Sequence, residues 1–71
     1  MELEFRGDRT AKFFKDKIGK RVAIDRATDA GMRGDRYGEV RAAGRKLVQV
    51  KLDLSGRTEG FHPQHLALLS D

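Results

Sequence analysis

These 71 residues contain no cysteine, no tryptophan, one proline and one tyrosine, and each scarcity excludes a class of protein. Without cysteine there is neither a disulfide staple nor a thiolate metal site. No apolar run approaches the roughly 20 residues of a membrane span. The opening Met1-Glu2-Leu3-Glu4-Phe5 lacks the basic-then-apolar order of a secretory signal, so a cytoplasmic protein is expected. Tyr37 and four phenylalanines are too few to line a polyproline groove or an aromatic cage for methylated lysine, especially where Phe13, Phe14 and Phe61 are wanted for a core. Catalytic constellations are equally thin. Ser55 falls in a turn and Ser70 near the C-terminus, neither beside an oriented histidine, and Gly31, Gly34 and Gly38 lie in a connection between strands, not in a phosphate-cradling loop that opens a helix. The expectation is a binding protein without enzymatic activity and without a cofactor.

Charge is what the chain does have. Fifteen Lys and Arg against 11 Asp and Glu leave a net charge of +4. The surplus is uneven: residues 1–21 hold seven basic and four acidic groups, 22–45 hold five and four, and 46–71 hold three and three. A basic balance of this size suits a polyanionic partner, and it also suits plain solubility. Two cores would leave each half too short to bury enough apolar surface, so one domain is expected.

From Arg21 onward the hydrophobic pattern has period two. Val22 and Ile24 alternate with Ala23 and Asp25, and a polar stretch rich in Gly, Asp and Arg then reads as a long loop from Arg26 to Arg36. Tyr37 to Ala42 alternates again, and Ala43-Gly44-Arg45 supplies a turn. Leu47-Val48-Gln49-Val50-Lys51-Leu52 is the strongest strand, with Val48, Val50 and Leu52 inward. Asp53-Leu54-Ser55-Gly56 makes the next turn, with Gly56 suited to positive φ, and Arg57 to Phe61 gives a fourth strand. Pro63 has no backbone donor, which predicts a 3₁₀ turn over Pro63-Gln64-His65-Leu66, with Ala67-Leu68-Leu69 closing a barrel as the fifth strand. Ahead of these strands, Asp8 or Thr10 can cap a short helix through about Ile18, with Gly19 past its end and a packing face of Phe13, Phe14 and Ile18. Met1, Leu3 and Phe5 alternate with Glu2 and Glu4 as either an edge strand or a frayed tail.

Four segments together resemble one known family: Gly19-Lys20-Arg21-Val22-Ala23-Ile24, Gly34-Asp35-Arg36-Tyr37-Gly38-Glu39-Val40, Val48-Gln49-Val50-Lys51-Leu52 and Phe61-His62-Pro63-Gln64-His65-Leu66. The stretch from Lys20 to Leu69 is similar to SH3-like barrels of the KOW and Tudor type, found in ribosomal proteins, transcription elongation factors and helicase accessory domains. The resemblance implies a mainly β fold: a small five-stranded SH3-like barrel over residues 20–71, preceded by an extension with a short helix over residues 1–19. The same fold serves modules that bind peptides, methylated side chains or other subunits, so function rests on the site.

Arg26, Arg33, Arg36, Arg41 and Arg45 fall where such barrels bind, with Tyr37 beside them to stack on an unpaired base. Lys12, Lys15, Lys20 and Arg21 extend this candidate nucleic-acid surface. The alternative is a solvated loop in which the arginines pair with Asp25, Asp29, Asp35 and Glu39. His62 and His65 stand three apart but lack converging partners, so no metal is expected, and His62 is placed over the barrel end with His65 exposed. Arg6-Gly7-Asp8 and Arg33-Gly34-Asp35 read as turns. Nucleic acid, DNA or RNA, is the favoured partner. A protein-interaction module docking through Leu3, Phe5, Phe13 and Phe14 is the alternative, and no membrane partner is expected.

Overall fold

A computed structural model describes residues 3–7 and 9–69. Met1, Glu2, Asp8, Ser70 and Asp71 lie outside the described residues, and with them the Asp8 cap. Alternating patterns become five strands: β1 (Arg21–Ile24), β2 (Tyr37–Ala43), β3 (Val48–Leu52), β4 (Thr58–Phe61) and β5 (Leu66–Leu68). They form one antiparallel sheet in the order β4-β3-β2-β1-β5. The predicted 3₁₀ turn occupies Pro63–His65 between β4 and β5, and Gly56 has the expected positive φ of 74°.

The expected closure into a barrel does not occur among the described residues. After the 3₁₀ turn β5 pairs with β1, leaving β4 and β5 as the two edges. Phe61 of β4 and Leu66 of β5 are both buried and belong to the same core. Edges of only four and three residues offer little template for unwanted pairing.

Inward residues follow the period-two reading: Val22, Ile24, Val40, Val48, Val50, Leu52, Phe61 and Leu66 share one core. β2 departs from it at Arg41. Val40 pairs with Val50 but Ala42 pairs with Gln49, a bulge that leaves Ala42 exposed and turns Ala43 toward the core. Gly38 sits inside β2, where a Cβ would come within 2.6 Å of the Lys51 carbonyl oxygen and the Val50 side chain. Only glycine permits that approach.

The N-terminal helix is 3₁₀, spanning Ala11–Lys17. Its three-residue period aligns Ala11 and Phe14 on the inward face, and both join the core. That corrects the expected packing face. Ile18 is 50% exposed in extended backbone, while Phe13 stays 37% exposed and meets Phe14 edge-on at 5.1 Å. Leu3 and Phe5 form no strand; they lie in irregular, exposed backbone and line a hollow together with Ala23 of β1.

The long loop contains one unexpected helical turn, α1 (Asp29–Met32). Thr28 caps it, its hydroxyl accepting the Gly31 N–H at 3.1 Å. Gly31 packs so tightly that a Cβ would fall 2.2 Å from the Asp25 carbonyl oxygen. Just beyond, the carboxylate of Asp35 is buried and accepts the backbone N–H groups of Leu54 at 3.0 Å and Ser55 at 3.2 Å. Burial pushes its pKa up. Hydrogen bonds from Ser55 and the Leu54 backbone, with the charge of Arg33, outweigh burial and hold it below the ordinary carboxylate value.

Two stability measurements follow. Val50→Ala removes two methyl groups from a side chain with no solvent exposure, and chemical denaturation should register a loss of about 1 to 3 kcal/mol; no loss would place Val50 outside the core. Asp35→Ala should lower stability at neutral pH by about 1 to 3 kcal/mol, because two turn N–H groups lose their acceptor. A depressed folded pKa stabilises fully above the unfolded value of about 3.9 and less as pH falls through the folded value. Thermal melts of parent and variant should therefore converge in acid, and a gap that widens there would contradict the anionic role of Asp35.

Candidate nucleic-acid interface

The ten candidate residues do not form one patch. Tyr37 begins β2 and Arg45 lies in the turn beyond its end, separated by a strand whose seven residues span roughly 20 Å. Lys12 and Lys15 are exposed on the 3₁₀ helix that packs against β2, and Lys20 is half-buried where its carbonyl accepts the Val40 N–H at 3.0 Å.

Three arginines are already engaged. Arg21 on β1 makes a two-pronged pair with Asp53, which raises the arginine's pKa and lowers that of the aspartate. Arg33 reaches Glu59 at 2.9 Å, and Arg41 reaches Glu39 at 3.0 Å. All three pairs are solvent-exposed and stabilise the fold by at most about 1 kcal/mol each. Their consequence is electrostatic, because each pair removes a cation from the surface available to phosphate.

The solvated-loop alternative is corrected by the same geometry. Of its four acids Glu39 alone, among the described residues, holds an arginine. Asp25 accepts the Ala27 N–H at 3.0 Å, Asp29 opens α1, and Asp35 is occupied by the β3–β4 turn. Arg26, Arg36 and Arg45 make no ion pair with a described residue.

Two of these unpaired cations meet. Arg26 and Arg36 border one depression with Tyr37, over β1 at the buried residues Ala23 and Ile24, and Leu3 and Phe5 supply its remaining wall. The backbone fixes this placement: the Ile24 N–H donates to the Arg36 carbonyl at 2.7 Å, and Ala23 pairs in register with Tyr37. Arg26 follows directly from Asp25, whose N–H donates to the His65 carbonyl at 2.9 Å. Arg36 and Tyr37 also face a second hollow, bounded by Gly34, Asp35, Asp53 and Leu54, with Leu54 74% exposed. Tyr37 is 43% exposed. A cation pair, an exposed phenol ring and apolar walls can hold an anionic group beside a flat ring.

Sequence reasoning missed Leu3, Phe5 and Leu54 as members of this region, because chain neighbours do not report which turn meets which strand. It also missed that Arg9 stacks over Phe13 at 4.6 Å from the ring centroid, with the Lys17 ammonium at 5.4 Å. Other readings need correcting. Phe14 is fully buried and unavailable to a protein partner. His62 is exposed and His65 half-buried, the reverse of the expected arrangement, because buried Pro63 turns the 3₁₀ segment inward. Arg33-Gly34-Asp35 is a turn with Gly34 at φ 89°, its two charged ends engaged elsewhere. The described residues include no helix long and apolar enough to cross a membrane. Comparison with family models, with curated proteins and with solved structures gives no match for this chain.

Proposed function

We propose that this chain is a non-catalytic nucleic-acid-binding accessory protein of the cytoplasm, gripping the phosphate backbone at Arg26 and Arg36. One observation carries the reading: the two guanidinium groups border a single depression and neither is neutralised by a described acid. Guanidinium binds phosphate oxygens bidentately, and backbone contact of this kind carries no base information. Lys20 and Arg45, farther along the sheet, add long-range attraction. The net charge of +4 has the sign such a partner requires. We also propose an SH3-like arrangement for the sheet. The order β4-β3-β2-β1-β5, the 3₁₀ turn joining β4 to β5, and the shared core of Phe61 and Leu66 support it.

Binding titrations at several salt concentrations test the function. Replacing Arg26 and Arg36 with Gln should weaken every sequence about equally and lower the slope of log affinity against log salt by about 1 to 2, since each lost phosphate contact removes roughly 0.7 to 0.9. Arg45→Gln should change the slope by less. Asp53→Asn should act in the opposite direction, raising affinity, because it frees the Arg21 guanidinium and removes a carboxylate from the hollow that Tyr37 and Arg36 line. A parent protein that binds neither DNA nor RNA at low salt would end this reading in favour of a protein partner at Leu3 and Phe5.

A further inference from the structure

The depression has more than cations in it, and the surplus is aromatic. Tyr37 and Phe5 form parts of its wall, and its floor is the small, buried side chain of Ala23 on β1. The cavity between them measures about 70 Å³ and opens to solvent. Phosphate binding alone requires none of these features, since two guanidinium groups grip phosphate equally well on a flat polar surface. An apolar-floored hollow with aromatic walls and a cationic border matches a nucleotide whose base has left its stack, the ring lying against Tyr37 and Phe5 and its phosphates reaching Arg26 and Arg36. A base inside a duplex cannot enter, because both of its faces are covered by neighbouring pairs.

We infer that this depression is a seat for one unpaired base, so that the protein prefers single-stranded nucleic acid to duplex. The inference rests on the phosphate-gripping function proposed above and adds the form of nucleic acid recognised. Stacking tolerates any base, so strand form is read while sequence is not.

Tyr37 makes the test direct, because it is the chain's single tyrosine and there is no tryptophan. Intrinsic emission therefore reports on the seat alone. Three probes of equal length are titrated: a mixed-sequence single strand, its duplex, and an abasic single strand with the same phosphates. The single strand should bind about tenfold or more tightly than the abasic strand and quench the tyrosine, while the abasic strand leaves emission unchanged. Tyr37→Ala and Phe5→Ala should reduce single-strand affinity toward the abasic value without altering abasic binding, and Tyr37→Phe should retain most of it. Both aromatic positions are partly exposed, and retained thermal stability of each variant checks that the fold is intact. Equal affinity for the intact and abasic strands, or unchanged emission at saturation, would overturn the base seat and leave the phosphate grip standing. Absence of binding to all three probes at low salt would overturn both.

Discussion

The carboxylate of Asp35 holds the candidate site in shape. It is buried at the end of the long β1–β2 connection, yet its hydrogen bonds go to the backbone of the β3–β4 turn, about 20 residues farther along the chain. Two loops that would otherwise move separately are thereby joined beside Arg36 and Tyr37. The Asp53 N–H donates to the Tyr37 carbonyl at 3.0 Å and adds a second tie between the same segments. An anion without a cation directly bonded to it is stable in such a place because amide and hydroxyl donors supply the solvation that burial removes. Negative charge is thus spent on architecture a few ångströms from a surface whose proposed partner is also negative. The backbone donors that engage Asp35 make that proximity tolerable.

Charge distribution follows from similar local decisions. Counting basic residues assigns equal weight to each arginine, but the folded chain sorts them. Arg21 and Arg33 reach acids on other strands or turns and Arg41 reaches one two residues away on its own strand, while Arg26 and Arg36 face a hollow. The sorting leaves Arg26 and Arg36 unpaired beside one hollow and Arg45 unpaired beyond the far end of β2. It also makes Asp53 and Glu59, which lie in the least basic part of the sequence, determinants of how much positive charge the surface presents.

How much of this was legible beforehand depended on the range of the interaction. Period-two alternation in Val48 to Leu52 reports a sheet face directly, and Pro63 and Gly56 announce backbone conformations that their own covalent structure imposes. The N-terminal helix was legible in position but not in pitch: Phe14 and Ile18 fit an α-helical face, whereas a 3₁₀ helix aligns Ala11 with Phe14 and releases Ile18. α1 was hidden by Gly31 and Gly34, which read as loop although Gly31 is required by contact with Asp25. The bulge at Arg41 leaves no trace in a seven-residue alternation. Least legible were the ion pairs joining residues 32 and 26 positions apart and the hollow that Phe5 and Tyr37 line together, since tertiary packing alone creates those neighbours.

The central claim is that nucleic acid engages the Arg26, Arg36 and Tyr37 end of the sheet and not the positive surface as a whole. Amide chemical-shift mapping with a short single strand addresses it residue by residue. The account predicts saturable shifts concentrated at Ala23, Arg26, Gly34 to Tyr37 and Leu54, with little change at Gly44 to Lys46 beyond the far end of β2. Shifts centred instead on that hairpin or on the 3₁₀ helix Ala11–Lys17, with the Tyr37 end unmoved, would contradict it.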